Sequence, residues 1–490
     1  MAGAFCILMG GGFALPASAL DWRFEPSIDA SATLTDNAGH AASDESEALI
    51  LRVAPGFTLR SVDSRRVQAG MRYGLSGVAR FGDDQNDSIF HNLNAFGKAE
   101  LVDDFVFIDA SARVSQELID LLGSPADASI DDNNRATVGT YSVSPYVRKR
   151  LGTFADTELR YTASGAIFEN DVAGTSTVNA VAARLTSGTR FDDMSWSVDY
   201  SLRDATNRDD VDTTFESASL TLGYALTRKF RVFGTAGQEW NDYPHIAGTD
   251  IDGAFYSVGF GWSPSRRTSI EASVGDRYLG NTYSLTASHR TRVTNWNVSY
   301  AEDLSDLTQF LQNSGTVYDY LCLGPDGSLA LVENWPYNFP PSPDCLAFGG
   351  TPGLVYDLRS GVFIAKTLRA GVSWNLRKLT YALTYSDSRR IYTAVDAEDR
   401  TNSLGASVSY RMTAKTSANA AVTLTRTQVP TPLATIARDD DLMALSIGVN
   451  HRFSDKLNGA LIFRHTQRDS NVAASDYDEN SLTGSVNLRF

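Results

Sequence analysis

Apolar and polar residues alternate along this chain in one segment of about ten residues after another. The last segment, Leu482 to Phe490, places every second residue, ending with Val486, Leu488 and Phe490, on one apolar face of an extended strand. Similar alternation begins near Val67, Leu93, Trp196, Ala218, Leu379 and Leu404. Such segments are typical of strands in a membrane-spanning β-barrel. Over nine residues alone, a half-buried edge strand would show the same pattern.

Two kinds of connection separate the predicted strands, and they alternate. Short polar turns lie near residues 62–64, 103–104, 150–152, 192–193, 227–229, 263–265, 294–295, 377–378, 413–415 and 454–456. Longer acidic connections lie at residues 82–87, 123–134, 207–212, 438–441 and 469–479. In outer-membrane barrels the short turns face the periplasm and the longer loops face outward. A soluble solenoid or stack of sandwiches would not require this asymmetry.

The turns also predict the number of strands. Ten short turns join twenty strands in pairs, and an opening strand near Phe24 to Thr35 and the closing strand bring the count to about 22, within a range of roughly 20 to 24. An even number places both termini in the periplasm. Aromatic residues beside the short turns predict a periplasmic girdle: Phe105, Phe154, Trp196, Phe230, Trp262, Trp296, Trp374, Phe453 and Phe490. The predicted fold class is therefore all-β, a transmembrane antiparallel β-barrel.

Composition supports a barrel and restricts the partners. The 490 residues contain no apolar run long enough for a transmembrane helix after the N-terminal segment. A net charge of −15 is unfavourable for binding nucleic acid. Residues 1–19 resemble a secretory signal, because an apolar stretch ends in Ala17-Ser18-Ala19. No Lys or Arg precedes Arg23, which a start codon placed too far downstream would explain. Residues 20–490 then form the barrel.

The most distinctive connection runs from about Asp303 to Asp357. It contains Cys322 and Cys345, and a disulfide between them would stabilise the loop by about 3 kcal/mol in the chain-entropy model. Its aromatic residues Trp335, Tyr337 and Phe339 lie among prolines. We expect this extracellular loop either to enter the mouth, as a constriction or a surface for stacking sugar rings, or to rest on the rim as a stiff lid.

The polar face of the strands should line the lumen. The alternation assigns to it Arg72, Arg113, Arg160, Arg203, Arg231, Arg277, Arg290, Arg292, Arg369, Arg411, Arg452 and Arg464, with Glu100, Asp109, Glu158, Asp199, Glu239 and Glu271. An arginine-rich wall attracts anions, such as a charged polysaccharide or a small anionic solute. The principal lumen candidates are Arg113, Arg160, Arg203, Arg369, Arg411 and Arg464. Partial pairing with the carboxylates is expected to weaken the positive field.

The sequence has no strong enzyme signature. Its six histidines are scattered without zinc-type spacing, and no nucleophile elbow or phosphate loop occurs in a suitable context. We therefore expect no enzymatic activity, no cofactor and no specific metal site. A barrel enzyme stays an alternative, since such enzymes assemble their sites from separate strands.

The opening strand resembles that of a family of bacterial β-barrel porins that includes the PEP-CTERM system-associated outer membrane proteins. Pro26-Ser27 and Thr35-Asp36-Asn37 match the family's first strand, and the C-terminal Phe490 fits as well. The resemblance implies a role in passing polymer or solute across the outer membrane, near exopolysaccharide export, and it supplies no catalytic residues.

The sequence thus predicts a porin-like conduit in the outer membrane of a Gram-negative bacterium, for exopolysaccharide or anionic solutes. Expected partners are outer-membrane lipid and lipopolysaccharide, periplasmic polysaccharide-export components, and the barrel-assembly machinery, which would read Val486, Leu488 and Phe490. A structural or adhesive barrel without transport is the main alternative. A TonB-dependent transporter also uses 22 strands but needs a plug domain of well over a hundred residues, whereas predicted strands begin here directly after Ala19.

Overall fold

A computed structural model describes residues 21–62, 66–82, 87–119, 134–169, 174–207, 212–314, 317–323, 329–336, 345–347, 361–429, 438–472 and 475–490. The signal segment predicted at residues 1–19 lies outside this range. The strands of the large sheet are β1 (Asp21–Thr35), β2 (Ala48–Val62), β3 (Val67–Phe81), β4 (Ser88–Val102), β5 (Val106–Leu118), β6 (Arg135–Leu151), β7 (Ala155–Phe168), β8 (Ser176–Ser187), β9 (Met194–Asn207), β10 (Asp212–Thr227), β11 (Phe230–Asp242), β12 (Gly253–Ser265), β13 (Thr268–Arg277), β14 (Gly280–Arg290), β15 (Thr294–Asp306), β19 (Val362–Asn375), β20 (Leu379–Tyr392), β21 (Glu398–Arg411), β22 (Thr416–Val429), β23 (Arg438–Arg452), β24 (Leu457–Ser470) and β25 (Tyr477–Arg489). Between β15 and β19 lie the helix α1 (Leu307–Ser314) and the short strands β16 (Val317–Leu323), β17 (Leu329–Pro336) and β18 (Cys345–Ala347).

The large sheet closes on itself. Each strand pairs antiparallel with its neighbour in sequence, β15 pairs with β19, and β25 pairs with β1 from Ser27 opposite Arg489 to Thr35 opposite Ser481. The backbone N–H of Phe490 donates to the Pro26 carbonyl at 3.1 Å, just beyond this ladder. Closure leaves no unpaired strand edge, which is the condition for a sheet to lie in hydrocarbon. The predicted antiparallel barrel of 22 strands is confirmed.

The alternation of short and long connections is confirmed with two corrections. Each of the ten predicted short turns joins two strands within a few residues of its predicted position. Residues 438–441 were predicted as a connection but begin β23, and Asp469 and Glu479 lie inside β24 and β25. Strand pairing continues there because these acidic groups have ionic or hydrogen-bonding partners in the barrel, as Asp440 has in Arg438 and Arg468. At the opposite end from the short turns, only residues 278–279 separate β13 from β14.

The outer face carries the apolar side chains. Leu220, Leu222 and Tyr224 on β10 are exposed, and Leu222 pairs across the ladder with Trp196 on β9. Beside the short turns, most of the predicted girdle residues are likewise exposed, and Trp296 meets Trp374 edge to face at 6.0 Å. An apolar band ending in an aromatic ring is the surface that a lipid bilayer solvates. Among the residues that the structure describes, no helix is both long and apolar enough to cross a membrane.

The apolar side chains that are buried lie mainly near the end of the barrel that carries the long connections. One cluster joins Ala136, Val138, Ala166, Phe168, Leu307, Leu311, Phe363 and Tyr392, and a smaller one joins Ala38, Ala48, Ile50, Val78 and Phe90. Both use inward-facing strand positions together with a residue of an adjoining connection. A barrel of 22 strands is too wide for its wall side chains to fill, so apolar burial concentrates where loops fold back onto the wall.

The short strands of the β15–β19 connection form a separate sheet in which β16 pairs with both β17 and β18. Its register places Cys322 directly opposite Cys345. The Cα atoms of directly opposed antiparallel residues lie about 4.5–5.5 Å apart, which is within the range that a disulfide spans. The side chains of this sheet lie outside the described part of the structure, so the disulfide stays a prediction.

Candidate functional site: the lumen and its mouth

The six arginines predicted to face the lumen all lie on the face opposite the exposed apolar residues. Arg160 on β7 stands between the exposed Leu159 and Tyr161, and Arg411 stands between the exposed Tyr410 and Met412. The same alternation directs Arg113, Arg203, Arg369 and Arg464 inward. One wider assignment is wrong: Arg292 lies in the turn between β14 and β15, where strand alternation does not apply.

Several of these arginines are engaged by carboxylates. Arg160 contacts Asp109 at 3.0 Å and Glu158 at 3.2 Å, and its guanidinium lies 3.8 Å from the centre of the Tyr146 ring. Arg113 lies 3.7 Å from the Glu117 carboxylate. Arg411 instead donates to the backbone carbonyl of Arg377 at 2.7 Å. Pairing along the wall holds these side chains against it and lowers the net positive charge that they present to the lumen.

Positive charge is concentrated where the barrel closes. Asp29 on β1 accepts a hydrogen bond from the Asn487 side-chain amide at 2.6 Å and lies within electrostatic range of Arg52, Arg72 and Arg489. Arg52 donates to the Ser76 hydroxyl at 2.9 Å. Three guanidinium groups around one carboxylate leave an excess of positive charge on the inward face of β25, β1, β2 and β3.

The helix α1 crosses the extracellular mouth. Asp306, the last residue of β15, accepts a hydrogen bond from the Gln309 backbone N–H at 2.9 Å and so caps the helix N-terminus. The same carboxylate forms an ion pair with Arg203 on β9, and Thr308 shares a hydrogen bond with Ser176 on β8. Five strands, β10 to β14, separate β9 from β15 in the sheet. These contacts therefore join parts of the wall that lie about a quarter of the circumference apart, and we call α1 with Asp306 the mouth bridge.

Apolar contacts also hold the mouth bridge, beginning at the first residue of its helix. Leu307 and Leu311, four residues apart on one helix face, are buried against Val138 on β6, Phe168 on β7 and Phe363 on β19. Phe363 also packs edge to face against Tyr392 with ring centres 5.9 Å apart. The loop was predicted to enter the mouth or to rest on its rim. In the structure, Asp303 to Asp306 belong to β15, and α1, which follows, packs against inward-facing residues of the wall. Whether the rest of the loop forms a constriction or a lid stays a prediction.

A second crossing lies in the connection between β11 and β12. Ile246 donates its backbone N–H to the Thr393 carbonyl at 2.9 Å, and the Thr393 hydroxyl donates to the Pro244 carbonyl at 2.9 Å. Below it, the hydroxyls of Tyr243 and Tyr278 lie 3.3 Å apart. Burial raises the pKa of Tyr243, and burial together with the hydrogen bond to Tyr243 raises the pKa of Tyr278. Both tyrosines therefore stay neutral hydrogen-bonding groups at physiological pH.

Two inward phenyl rings lie flat on the wall of β11 and β12, an arrangement that the sequence analysis missed. A Cβ atom added to Gly259 would lie 2.5 Å from the Phe233 ring, and one added to Gly237 would lie 2.5 Å from the Phe255 ring. Each ring therefore covers a glycine of the neighbouring strand, with Phe233 opposite Gly259 and Gly237 opposite Phe255 in the register. The phenylalanines and glycines are visible in the sequence, but only the strand register shows which glycine lies opposite which ring.

Ion pairs flank these two rings along the lumen. Arg231 pairs with Glu271 toward the periplasmic end, and Arg277 lies 2.5 Å from Glu239 toward the extracellular end. Phe233 and Phe255 are four positions apart in the paired ladder, or about 13 Å along the strands. We call Phe233 and Phe255 with these two ion pairs the aromatic track.

The other predicted loop residues are not part of this geometry. Trp335 belongs to β17, but its side chain lies outside the described part of the structure. Tyr337 and Phe339 lie outside the described residues altogether. Their stacking role stays a prediction.

Comparison with solved structures agrees with the fold. The siderophore receptor PirA from Acinetobacter baumannii matches with a TM-score of 0.51 and 8% identity, covering 96% of this chain and 81% of the receptor. The FrpB iron transporter from Neisseria meningitidis matches in its F5-1 apoprotein form with a TM-score of 0.50 and 11% identity, covering 95% of this chain and 81% of FrpB. The F3-3 variant of FrpB matches with a TM-score of 0.51 and 9% identity, covering 95% of this chain and 82% of that one.

The protein is an outer-membrane β-barrel. The closed sheet and its exposed apolar band carry this conclusion, and the likeness to the receptor and transporter barrels supports it. At these identities the likeness concerns the fold alone. No family model and no curated protein matches the chain. The resemblance of this outer-membrane barrel to the PEP-CTERM-associated porins therefore rests on its short terminal motifs.

Proposed function

We propose that this barrel is a passive conduit through which polar solutes cross the outer membrane. The observation that carries the proposal is the inward face of the strands, which is covered by small polar side chains. On β9 and β10 the inward Ser201 and Ser217 have hydroxyls 2.8 Å apart, and on β13 and β14 those of the inward Ser273 and Ser284 lie 2.7 Å apart, both pairs exposed to the lumen. Short hydroxyl side chains on a wide closed sheet leave water-accessible space and supply hydrogen bonds to a passing solute.

The finer proposal is that the conduit passes carbohydrate, including an anionic exopolysaccharide. The aromatic track supports it, because a flat phenyl ring stacks on the apolar face of a sugar while neighbouring charged groups bond its hydroxyls. The arginine cluster around Asp29 supports attraction of an acidic polymer. The mouth bridge would restrict entry from the extracellular side.

Planar-bilayer recording tests the conduit itself. Purified barrel should give stable single-channel currents, and a salt gradient should give a reversal potential that indicates preference for anions. Absence of current in wild-type protein and in a variant lacking the Asp306 ion pair would refute the conduit and would favour the structural or adhesive alternative.

Block of the current by oligosaccharides tests the carbohydrate proposal separately. We expect neutral and acidic oligosaccharides to interrupt the current of wild-type barrel, and the double variant Phe233→Ala/Phe255→Ala to weaken this block at least tenfold with unchanged ionic conductance. Tyr256→Ala is the matched control, because Tyr256 lies on β12 next to Phe255 but faces outward and is exposed. Equal block in both variants would contradict stacking on the track while leaving the conduit intact.

A further inference from the structure

Three cationic side chains stand in one row on the outer face of the barrel. The register places Lys366 on β19 opposite Arg389 on β20, and Arg389 opposite Arg400 on β21. Each lies an even number of residues from an outward apolar residue of its own strand, namely Leu368, Tyr385 or Leu404, and therefore points to the same outer face. We call Lys366, Arg389 and Arg400 the cationic row.

The cationic row lies at the height of the outer lipid headgroups. Arg389 is ten residues beyond Leu379, the first residue of β20 after a periplasmic turn. At about 3.4 Å per residue and a strand tilt of about 45°, this separation corresponds to about 24 Å along the membrane normal. The apolar band of such barrels is about 25 Å tall. The row therefore lies at the upper boundary of the band, where lipid tails give way to headgroups.

The carboxylates that contact the row are more deeply buried than its cations. Glu302 lies 3.7 Å from Lys366, and Asp387 contacts both Arg389 at 3.2 Å and Arg400 at 2.7 Å. Two carboxylates contact the three cations, and Glu398, on the same face of β21, lies within electrostatic range of Arg400. The side chains of Glu302 and Asp387 are only 6% and 12% exposed, whereas those of Lys366, Arg389 and Arg400 are 32%, 40% and 36% exposed. Glu302 and Asp387 therefore lie beneath the three cationic groups, which are the more exposed members of these ion pairs.

Like charges directly opposite each other on neighbouring strands repel, and their repulsion grows near a medium of low dielectric constant. An anion bound across the row would relieve this repulsion. Arginine pairs hold phosphate oxygens by paired, charge-assisted hydrogen bonds. At this height on an outer-membrane barrel, the neighbouring anions are phosphate groups on the lipids of the outer leaflet.

We propose that the cationic row binds the phosphate groups of lipopolysaccharide in the outer leaflet. The two arginines hold the phosphate, and Lys366 supplies further positive charge. The exposed Leu404 and Leu383 below the row contact the acyl chains. This site is on the outer face and is independent of transport through the lumen.

The test measures lipopolysaccharide bound per barrel after purification in mild detergent, by native mass spectrometry. We expect Arg389→Gln/Arg400→Gln to retain at least tenfold less lipid than wild type. Arg148→Gln/Arg184→Gln is the matched control, because it removes the same charge from exposed arginines on the inward face. The control should retain lipid as wild type does. Resistance of each unheated barrel to denaturation by dodecyl sulfate verifies folding.

Two further arms identify the group that is bound. Enzymatically dephosphorylated lipopolysaccharide should bind the wild-type barrel at least tenfold more weakly than the intact lipid. Millimolar inorganic phosphate should displace little of the lipid, because it lacks the acyl contacts. Equal retention by the row variant and wild type, equal loss in the control, or undiminished binding of the dephosphorylated lipid would each overturn the proposal.

Discussion

Replacing Asp306 by Asn should loosen the mouth bridge without removing the helix cap. Asparagine caps a helix N-terminus as well as aspartate does, so the hydrogen bond to the Gln309 N–H can persist. The ion pair to Arg203 is lost. The two side chains are only 8% and 14% exposed, so the guanidinium would be left in a largely buried site without its carboxylate.

The expected cost follows from that burial. Removing one partner of a buried ion pair costs about 3–5 kcal/mol, and we take about 3 kcal/mol because water in the mouth can rehydrate Arg203. This corresponds to roughly a hundredfold increase in the population of opened α1. Hydrogen–deuterium exchange of the α1 amides measures that population directly, since exchange from a locally opened segment follows its opening free energy. Single-channel records should show correspondingly fewer partial closures.

Glu271→Gln is the matched control for this experiment. It removes the partner of Arg231 in the lumen, but that pair is 48% and 55% exposed, and exposed pairs contribute about 0–1 kcal/mol. Exchange of α1 should be unchanged in this variant. If Asp306→Asn also leaves α1 exchange within a factor of about three of wild type, the ion pair does not hold the bridge and the argument from burial is wrong.

Three further predictions concern the closing strand, the long loop and the buried tyrosines. Deleting Phe490, or replacing it by Asp, should lower the yield of assembled barrel in the outer membrane while the conductance of the assembled fraction stays normal; normal yield would contradict its role as an insertion signal. Cys322→Ser should make the loop between β15 and β19 more sensitive to protease, to the same extent as treatment of the wild type with a reductant. If the variant and the oxidised wild type are cleaved equally fast, a disulfide to Cys345 is excluded. Burial raises the pKa of Tyr278, so the neutral side chain stabilises the fold fully below the usual tyrosine pKa near 10, and this contribution is lost as the pH rises above it. Ultraviolet titration of Tyr278→Phe should show one fewer tyrosine that ionises at high pH. An unchanged titration would contradict the burial argument.

Much of the lumen wall follows from alternation once the strands are known. The inward position of Arg160 and Arg464 and the outward position of Phe490 depend only on parity, because successive side chains of a strand point to opposite faces. Arg292 shows the limit of this reasoning: parity fails in a turn, and the turn boundary was misplaced by a few residues. The acidic segment at residues 438–441 shows another limit. A polar segment lies within a strand when partners such as Arg468 compensate its charge.

The sequence by itself determined the closed antiparallel barrel, its 22 strands, its short turns on one side and the two faces of each strand. These features depend on residues close together in the chain, so a period of two and the turn residues are sufficient to predict them. Only the tertiary structure decided which distant residues meet. The pairing of Asp306 with Arg203 across five intervening strands, the Phe233 ring over Gly259, and the row of Lys366, Arg389 and Arg400 depend on strand register and on the path of one loop. Register and loop path result from packing between segments far apart in sequence, which local patterns do not encode.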